Sequence, residues 1–264
     1  MFGEVAALYD RVRPAYPVAC VDDLLRFAGL PAPGARALDA GAGTGKATAA
    51  LAARGVPVVA LEPSRAMAAV ARRRLAAWPG VTVRQAAFEA ARLPAGGFRL
   101  VLAAQAWHWF EPATRWPRAA GLLEPGGALA LLWNVPDWRA QPLRPALDAA
   151  YRRWAPRLDA RTPGGGGNHA VHDRPHQDPA RRGWFGPMTR GTYRWHEIYP
   201  TAVYLDLLRT QSHHRLLAPA DRERLLAAVA AVIDGDGVRL EVAYTTECYL
   251  ARREPGAGAV RAVG

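Results

Sequence analysis

The fold of this 264-residue chain is decided by residues 37–48, which read Ala-Leu-Asp-Ala-Gly-Ala-Gly-Thr-Gly-Lys-Ala-Thr. Residues 36–40 predict a short buried strand, and residues 48–53 begin an alanine-rich helix. Three glycines at alternate positions form the turn between them. Glycine adopts positive φ and lets a ligand approach the backbone closely. The helix adds unpaired N–H groups and the positive end of its dipole, so the turn predicts a site for a polar or anionic group.

The spacing of the glycines separates three nucleotide-binding patterns. A phosphate loop of the form GxxxxGK[ST] needs Gly at position 40 and Ser or Thr at position 47, where the chain has Ala40 and Ala47. The dinucleotide fingerprint GxGxxG needs Gly or Ala at position 46, where the chain has Lys46. The remaining pattern, Gly-x-Gly-x-Gly at 41–45 after Leu-Asp at 38–39, resembles the first motif of class I S-adenosylmethionine-dependent methyltransferases.

A carboxylate follows the second predicted strand. Residues 56–61 form an apolar run, and Glu62 closes it 17 residues after Gly45. In a βαβ unit an acid at this place reaches the two ribose hydroxyls of a bound nucleoside. The alternative is that Glu62 caps the helix that starts after residues 63–64.

Two further stretches resemble the same family, Ala-Gln-Ala-Trp-His-Trp at 104–109 and Leu-Glu-Pro-Gly-Gly at 123–127. The resemblance covers nearly the whole chain. It implies an α/β fold with a doubly wound, Rossmann-like sheet of seven strands, six parallel and one antiparallel, with N-terminal lid helices and a helical cap inserted in the C-terminal half. The expected boundaries are one methyltransferase domain at 1–254 and a flexible tail at 255–264. The domain comprises a lid at 1–17, a cofactor-binding core at 34–136, a substrate cap with its loop at 137–235 and a closing edge strand at 236–250.

The N-terminal segment resembles the leading segment of the small-molecule methyltransferase group called type 11. In that group the segment folds over the cofactor as a lid. Here the segment presents Tyr9, Arg13 and Tyr16 together, and a tyrosine ring attracts a cation such as a sulfonium. The alternative is that the tyrosines only anchor the packing of the segment.

The resemblance implies a cofactor site built from the lid, the glycine turn and the ends of the first four strands. Many members of the family carry an aspartate for the adenine amino group where this chain has Ala87, so adenine is expected to rely on packing against Phe88 and on backbone contacts. The residues expected to bind S-adenosylmethionine are Tyr9, Arg13, Tyr16, Asp39, Gly41, Ala42, Gly43, Thr44, Gly45, Glu62, Pro63, Met67, Ala87, Phe88 and Gln105.

His108 is the candidate catalytic base. Imidazole titrates near neutrality, and the fourth strand delivers this residue to the carboxyl edge of the sheet, where ligands bind. The alternatives are a pocket wall packed between Trp107 and Trp109, or a residue that only orients substrate. A hydroxyl acceptor needs a base, whereas an amine or an acidic carbon does not.

Charge and composition limit the classes of partner that this chain can have. The net charge of +11 raises nucleic acid as a partner, but Lys46 is the only lysine among 34 basic residues and the arginines are scattered, which favours a solvated surface. The sequence has no apolar run near the roughly 20 residues that span a membrane and no signal-peptide pattern, so we expect a cytoplasmic protein without a membrane partner. Cys20 and Cys248 lack metal-ligand spacing, and the His-rich loop at 164–178 favours a solvated loop over a zinc site, so no metal is expected.

These observations predict an S-adenosylmethionine-dependent methyltransferase that acts on an oxygen, nitrogen or carbon atom of a small-molecule metabolite or natural product, as a monomer or homodimer. One alternative is a methyltransferase fold that catalyses a cyclisation or elimination. The other is a nucleic-acid methyltransferase. It is less favoured because the fourth strand ends in Gln-Ala-Trp-His at 105–108 rather than in the Asn- or Asp-Pro-Pro-aromatic sequence of amino-methylating enzymes, and no nucleic-acid partner is expected.

Overall fold

A seven-stranded sheet organises the computed structural model, which describes residues 5–158, 175–237 and 239–257. Its strands, in chain order, are β1 (Ala37–Ala40), β2 (Val58–Leu61), β3 (Val81–Arg84), β4 (Phe98–Ala104), β5 (Leu123–Asp137), β6 (Thr189–Pro200) and β7 (Arg239–Arg252). Their order across the sheet is β3-β2-β1-β4-β5-β7-β6. The first five strands run parallel, and β7 is antiparallel to both β5 and β6. Six strands therefore share one direction, and the predicted fold class is confirmed.

Helices cover both faces of the sheet and build the cap. They are α1 (Ala6–Val12), α2 (Val18–Ala28), α3 (Lys46–Ala52), α4 (Arg65–Leu75), α5 (Arg115–Leu122), α6 (Arg144–Trp154), α7 (Thr201–Arg209), α8 (Ser212–Arg215) and α9 (Pro219–Asp234), with short 3-10 turns at Trp107–Trp109, Pro175–Gln177 and Pro179–Arg181. The α2 helix illustrates the sequence logic. Its buried residues recur at helical spacing from Cys20 to Ala28, and it ends where Gly29 takes the left-handed conformation at φ 69°.

Alternation along the central strands produces two separate cores. In β1, Leu38 packs on one face of the sheet and Ala37 on the other, and in β4 Val101 and Leu100 divide in the same way. Successive side chains of a strand point to opposite faces, so a strand that is apolar at every position is buried on both. This is why the short apolar runs of the sequence become the centre of a doubly wound sheet.

The strand predicted to close the sheet at its edge, at 236–250, is not at the edge. The β7 strand lies between β5 and β6, and β6 is the edge. Residues 128–137 of β5 pair with one side of β7, and all of β6 pairs with the other. The prediction was wrong because alternation in a sequence reports which face a side chain occupies, not whether both sides of the backbone are paired.

Two predicted loops are more ordered than expected where they are described. Ala257 is buried in the same cluster as Phe185, although Pro255 and Gly256 before it are exposed, so the predicted tail is packed at Ala257. In the His-rich segment, His176 stacks on Tyr249 with ring centroids 5.4 Å apart, and the carboxylate of Asp178 accepts the indole N–H of Trp116 at 2.8 Å. The predictions for residues 159–174, which include His169 and His172, and for 258–264 lie outside the described residues.

The α1 helix links the sheet domain to the cap. Asp10 accepts hydrogen bonds from Arg74 of α4 at 2.6 and 3.1 Å, and Arg11 forms an ion pair of 2.9 Å with Asp206 of α7. The apolar side of α1 packs Ala6 against Met67. The predicted lid thus lies between α4 and the cap, although residues 1–4 of the predicted segment are not described.

The glycine turn predicts a measurable stability difference. Gly41 has φ +74°, and a Cβ added there would lie 2.6 Å from the Cβ of Ala106, whereas Gly55 has φ +76° and no atom near such a Cβ. Left-handed strain alone gives Gly55→Ala a loss of about 1–2 kcal/mol. Gly41→Ala adds a steric clash and loses about 2–5 kcal/mol. Urea unfolding of the two variants measures the difference, and equal losses would show that Ala106 moves aside.

Candidate active site

A cavity of about 460 Å³ opens at the carboxyl ends of the parallel strands. Its walls come from the glycine turn, the ends of β2, β4 and β5, the lid and the cap. Ligands in open α/β sheets bind at this edge because strand ends and helix N-termini converge there. All of the site residues predicted from the sequence line this cavity except Asp39 and Gly45.

The glycine turn lines the cavity with backbone. Gly41, Ala42, Gly43 and Thr44 form its floor, and the N–H of Ala42 donates to the carbonyl of Leu61 at 2.8 Å. Because no side chain fits at Gly41, a ligand meets the main chain there.

The last glycine of the turn, Gly45, serves helix packing and does not line the cavity. Gly45 stands at the N-cap of α3 with φ 84°, and a Cβ there would come within 2.9 Å of Leu75 Cδ1. Gly45 therefore permits close packing of α3 on α4 instead of facing the cavity.

Glu62 ties the end of β2 to the turn. Its Oε2 accepts the N–H of Gly43 at 2.9 Å, and its Oε1 accepts the N–H of Ser64 at 2.8 Å. Burial raises the pKa of Glu62, while the two backbone N–H groups oppose that rise. The cap of α4 is Ser64, whose hydroxyl accepts the N–H of Met67. Each carboxylate oxygen of Glu62 keeps a further lone pair, so the residue can hold the turn and still accept from a ligand.

Asp39 lies beneath the turn. It is fully buried, and its Oδ2 accepts the hydroxyl proton of Thr48 at 2.6 Å, which fixes β1 to the first turn of α3. Burial raises the pKa of Asp39 to about 6, the Thr48 hydrogen bond opposes the rise, and the charge of Glu62 adds to it. Asp39 supports the shape of the turn from below.

An aromatic and apolar wall follows β3. Phe88 stacks on Phe110 with ring centroids 4.6 Å apart, next to Ala87 and Met67. Glu89 also lines this wall, and its Oε1 accepts the N–H of Glu111 at 3.0 Å. Sequence reasoning missed Glu89 because it looked for an acid only at position 87.

The end of β4 is strained and tied to the lid. Gln105 has φ 57°, a rare value for a residue with a side chain, and its amide donates to the carbonyl of Asn134 at 3.2 Å. The amide of Asn134 in turn donates to the carbonyl of Ala15 at 2.9 Å, and its Oδ1 accepts the hydroxyl proton of Thr246 at 2.6 Å. Strained backbone held by a hydrogen-bond network is typical of functional sites.

The Trp-His-Trp stretch divides between core, cavity and solvent. Trp107 is fully buried against Trp116, whereas Trp109 is 60% exposed at the mouth of the cavity. His108 lines the cavity between them, and its Nδ1 accepts the indole N–H of Trp133 at 3.4 Å. An indole nitrogen only donates, so the neutral ring of His108 carries its proton on Nε2.

The lid residues do not all face the glycine turn. Arg13 lines the cavity but donates from Nε to the hydroxyl of Thr210 at 2.9 Å and from Nη2 to the Thr210 carbonyl at 3.2 Å. Its guanidinium also lies 5.0 Å from the centre of the Tyr9 ring. Tyr16 lines the cavity as well, and burial raises its pKa well above the ordinary value, so it stays a phenol.

The cap contributes residues that sequence reasoning missed. Between 137 and 235 the sequence offers many polar residues at no informative spacing, so only the packing of α7 and α8 over the sheet selects those that reach the cavity. Tyr244 of β7 joins them, with its hydroxyl 3.1 Å from that of Tyr199. The missed residues on this side are Pro136, Leu207, Gln211, Ser212 and Tyr244, and Lys46 lines the opposite side. Asn134 and His213, which the sequence had suggested as possible substrate contacts, also line the cavity.

Two other kinds of site are absent from the described part of the chain. Within residues 5–158, 175–237 and 239–257, no three His, Cys, Asp or Glu side chains come together to hold a metal ion. None of the helices in these ranges has the length and apolar character needed to cross a membrane.

Known proteins resemble this chain in sequence and in fold. Residues 37–127 match the family model described as a methyltransferase domain. An uncharacterised methyltransferase of Mycobacterium tuberculosis is 34% identical over 258 residues, which are 95% of this chain and 94% of the relative. The chain belongs to the class I S-adenosylmethionine-dependent methyltransferases. The predicted family, enzyme class and cofactor are thereby confirmed.

This methyltransferase also resembles a second sequence relative and a solved structure. The trans-aconitate 2-methyltransferase of Methylobacterium radiotolerans is 31% identical over 230 residues, which are 85% of this chain and 73% of the relative. A solved structure of a candidate type II methyltransferase from Anaeromyxobacter dehalogenans superposes with a TM-score of 0.56 at 24% identity, covering 91% of this chain and 97% of that one. The structural likeness supports the fold.

Because Asp39 is buried, we expect the free energy of unfolding of this methyltransferase to depend on pH. The unfolded carboxyl loses its proton near pH 4, whereas the folded one keeps its proton up to a pKa of about 6, so the folded state binds more protons between these values and stability falls as pH rises through them. Asp39→Asn retains an acceptor for Thr48 and carries no charge. We expect the variant to be about 1–3 kcal/mol more stable than wild type at pH 7, with the gap closing toward pH 4. Urea unfolding across this pH range checks it, and a constant loss at every pH would contradict it.

Proposed function

We propose that this methyltransferase transfers the methyl group of S-adenosylmethionine to a small molecule enclosed between the glycine turn and the cap. The observation that carries the proposal is the single continuous cavity whose one end has the glycine floor and Glu62 and whose other end has Gln211, Ser212 and Tyr244. When bound, S-adenosylmethionine supplies an electrophilic methyl group on a sulfonium. The protein has to orient the two ligands and exclude water.

The residues of the core fit this cofactor. The floor without side chains at Gly41 accommodates a ligand against the main chain, and the remaining lone pairs of Glu62 suit a pair of ribose hydroxyls. The apolar wall around Phe88 and Met67 suits a flat base, and Glu89 beside it offers an acceptor for an amino group. Glu89 can therefore take the part of the aspartate that is replaced by Ala87. Because a loss of cofactor binding was the reason to consider a non-methylating reaction, this acceptor weakens that alternative.

The enclosure of the cavity supports a small acceptor. The lid is held to α4 through Asp10 and to the cap through Arg13, and the amide of Asn134 holds the link after α1. A nucleic acid would need an open, basic groove to follow its backbone. Closure by lid and cap instead favours a metabolite-sized molecule.

Loss of the Glu62 carboxylate tests the cofactor site. We expect Glu62→Ala to weaken binding of S-adenosylmethionine and of S-adenosylhomocysteine by about 1–3 kcal/mol, because two charge-assisted hydrogen bonds to the ribose are lost. Isothermal titration calorimetry measures both ligands. Glu124→Gln is the control, because Glu124 pairs with Arg99 outside the cavity and its loss leaves the affinity unchanged.

Thermal unfolding without ligand separates lost binding from a lost fold, since Glu62 also holds the N–H groups of Gly43 and Ser64. Wild-type protein that binds neither S-adenosylmethionine nor S-adenosylhomocysteine at millimolar concentration would contradict the proposed function.

A further inference from the structure

The charges of the cavity are distributed unevenly between its two ends. Among the described residues, its carboxylates are Glu62 and Glu89, and both belong to the core side, after β2 and β3. The described cap residues that line it, from α7, α8, the link between these helices and β7, bring amide, hydroxyl and imidazole groups and no carboxylate. Arg13 adds a permanent positive charge against this cap side. The substrate end is therefore electropositive.

Arg13 is held in place with donors to spare. A guanidinium has five N–H donors, and Nε and Nη2 each use one on the buried residue Thr210. The Tyr9 ring lies 5.0 Å from the same guanidinium. No carboxylate in the described ranges forms an ion pair with Arg13, so the Nη1 donors and the second Nη2 donor remain for a ligand. A fixed guanidinium fork matches the geometry of a carboxylate.

The groups around the cavity are poorly suited to remove a proton. Burial raises the pKa of Tyr16 and of Tyr244, so both remain phenols near neutral pH. In His108, Nδ1 accepts from Trp133 and Nε2 is buried, so neither ring nitrogen faces an acceptor in the cavity as a free base. The other titratable groups that line the cavity are Tyr9, Lys46, Glu62, Glu89 and His213. An acceptor that is already ionised needs none of them as a base.

We propose that the methyl acceptor is a carboxylate, held by the free donors of Arg13. This inference rests on the proposed function and adds the substrate class. A carboxylate oxygen supplies the electron pair for the new O–C bond, the methyl–sulfur bond breaks with its pair left on sulfur, and no proton is transferred. The anion and the sulfonium cation become a neutral ester and a neutral thioether, a change that an enclosed cavity favours.

An acceptor panel tests the substrate class. The purified 264-residue chain with S-adenosylmethionine is offered small aliphatic mono-, di- and tricarboxylic acids, each beside its primary amide and its alcohol. Mass spectrometry follows S-adenosylhomocysteine and the methylated product. We expect products only from carboxylates, and mild alkali should return the acid because methyl esters hydrolyse. Methylated amides or alcohols, or products stable to mild alkali, would overturn the proposal while leaving the enzyme a methyltransferase.

Binding provides a readout that does not depend on turnover. Calorimetry with the same acids is performed on the complex with S-adenosylhomocysteine. We expect Arg13→Gln to weaken carboxylate binding about 10- to 100-fold, and Arg13→Lys to weaken it less, because lysine keeps the charge and loses the fork. Arg26→Gln is the matched control, since Arg26 is exposed on α2 and pairs with Asp23. A panel in which no acid binds or reacts overturns the proposal.

Cofactor affinity separates the two roles that Arg13 can have. The resemblance implies that Arg13 binds the cofactor, whereas the present proposal assigns it to the acceptor and expects Arg13→Gln to bind S-adenosylmethionine as wild type does. A loss of cofactor affinity without a loss of carboxylate affinity would instead assign Arg13 to the carboxylate of the cofactor and overturn the inference. Failure of wild type to bind S-adenosylmethionine at all is a different result, because it contradicts the proposed function itself.

The pH profile tests the role of His108. With a saturating carboxylate, we expect kcat to stay constant from about pH 6 to 9, across the range in which histidine titrates. We expect His108→Gln to show the same flat pH profile, because no imidazole takes a proton from the acceptor. A kcat that rises with pH, together with a loss of about 10²- to 10⁴-fold in His108→Ala or His213→Ala, would reveal a base acting on a protonated acceptor and overturn the proposal.

Discussion

The turn after β1 is the constraint on which the rest of the site depends. The main chain can turn sharply from a buried strand into α3 only because glycines adopt positive φ at 41, 43 and 45. Two carboxylates hold this turn. Asp39 fixes it from below through Thr48, and Glu62 fixes it from the side through the N–H of Gly43. Both carboxylates are buried, and their raised pKa values record the electrostatic cost of placing them there.

The cavity above this turn is assembled from parts that are distant in sequence. The lid reaches the core through the Asp10–Arg74 contact, and Arg13 reaches the cap through Thr210, which is 197 residues away. Asn134 joins the lid link, the end of β4 and β7 through three hydrogen bonds. Specific polar contacts therefore hold the N-terminal segment against both the core and the cap.

The parts of the site that follow a local rule were predictable. Strand, glycine turn and helix are consecutive in the sequence, and Glu62 follows its strand directly, so spacing alone brings them to one sheet edge. Local spacing did not reveal side-chain direction. Asp39 and Gly45 belong to the motif but serve its packing, whereas Glu89 and Lys46 face the cavity without belonging to the motif. The predicted edge strand failed for a related reason, because pairing on both sides of β7 depends on β6, some 40 residues away in the chain.

The sequence by itself determined the family, the doubly wound sheet and the cofactor end of the site, because each rests on neighbouring residues that obey short-range stereochemistry. Only the tertiary structure decided which cap residues reach the cavity and which nitrogen of His108 carries the proton. It also decided that Arg13 donates a hydrogen bond to Thr210 of the cap. Those features depend on long-range packing of α7, β5 and β7, where a hydrogen-bond partner such as Trp133 or Thr210 is adjacent in space and remote in sequence. The cap side of the cavity is therefore a property of several assembled segments, and no single segment encodes it.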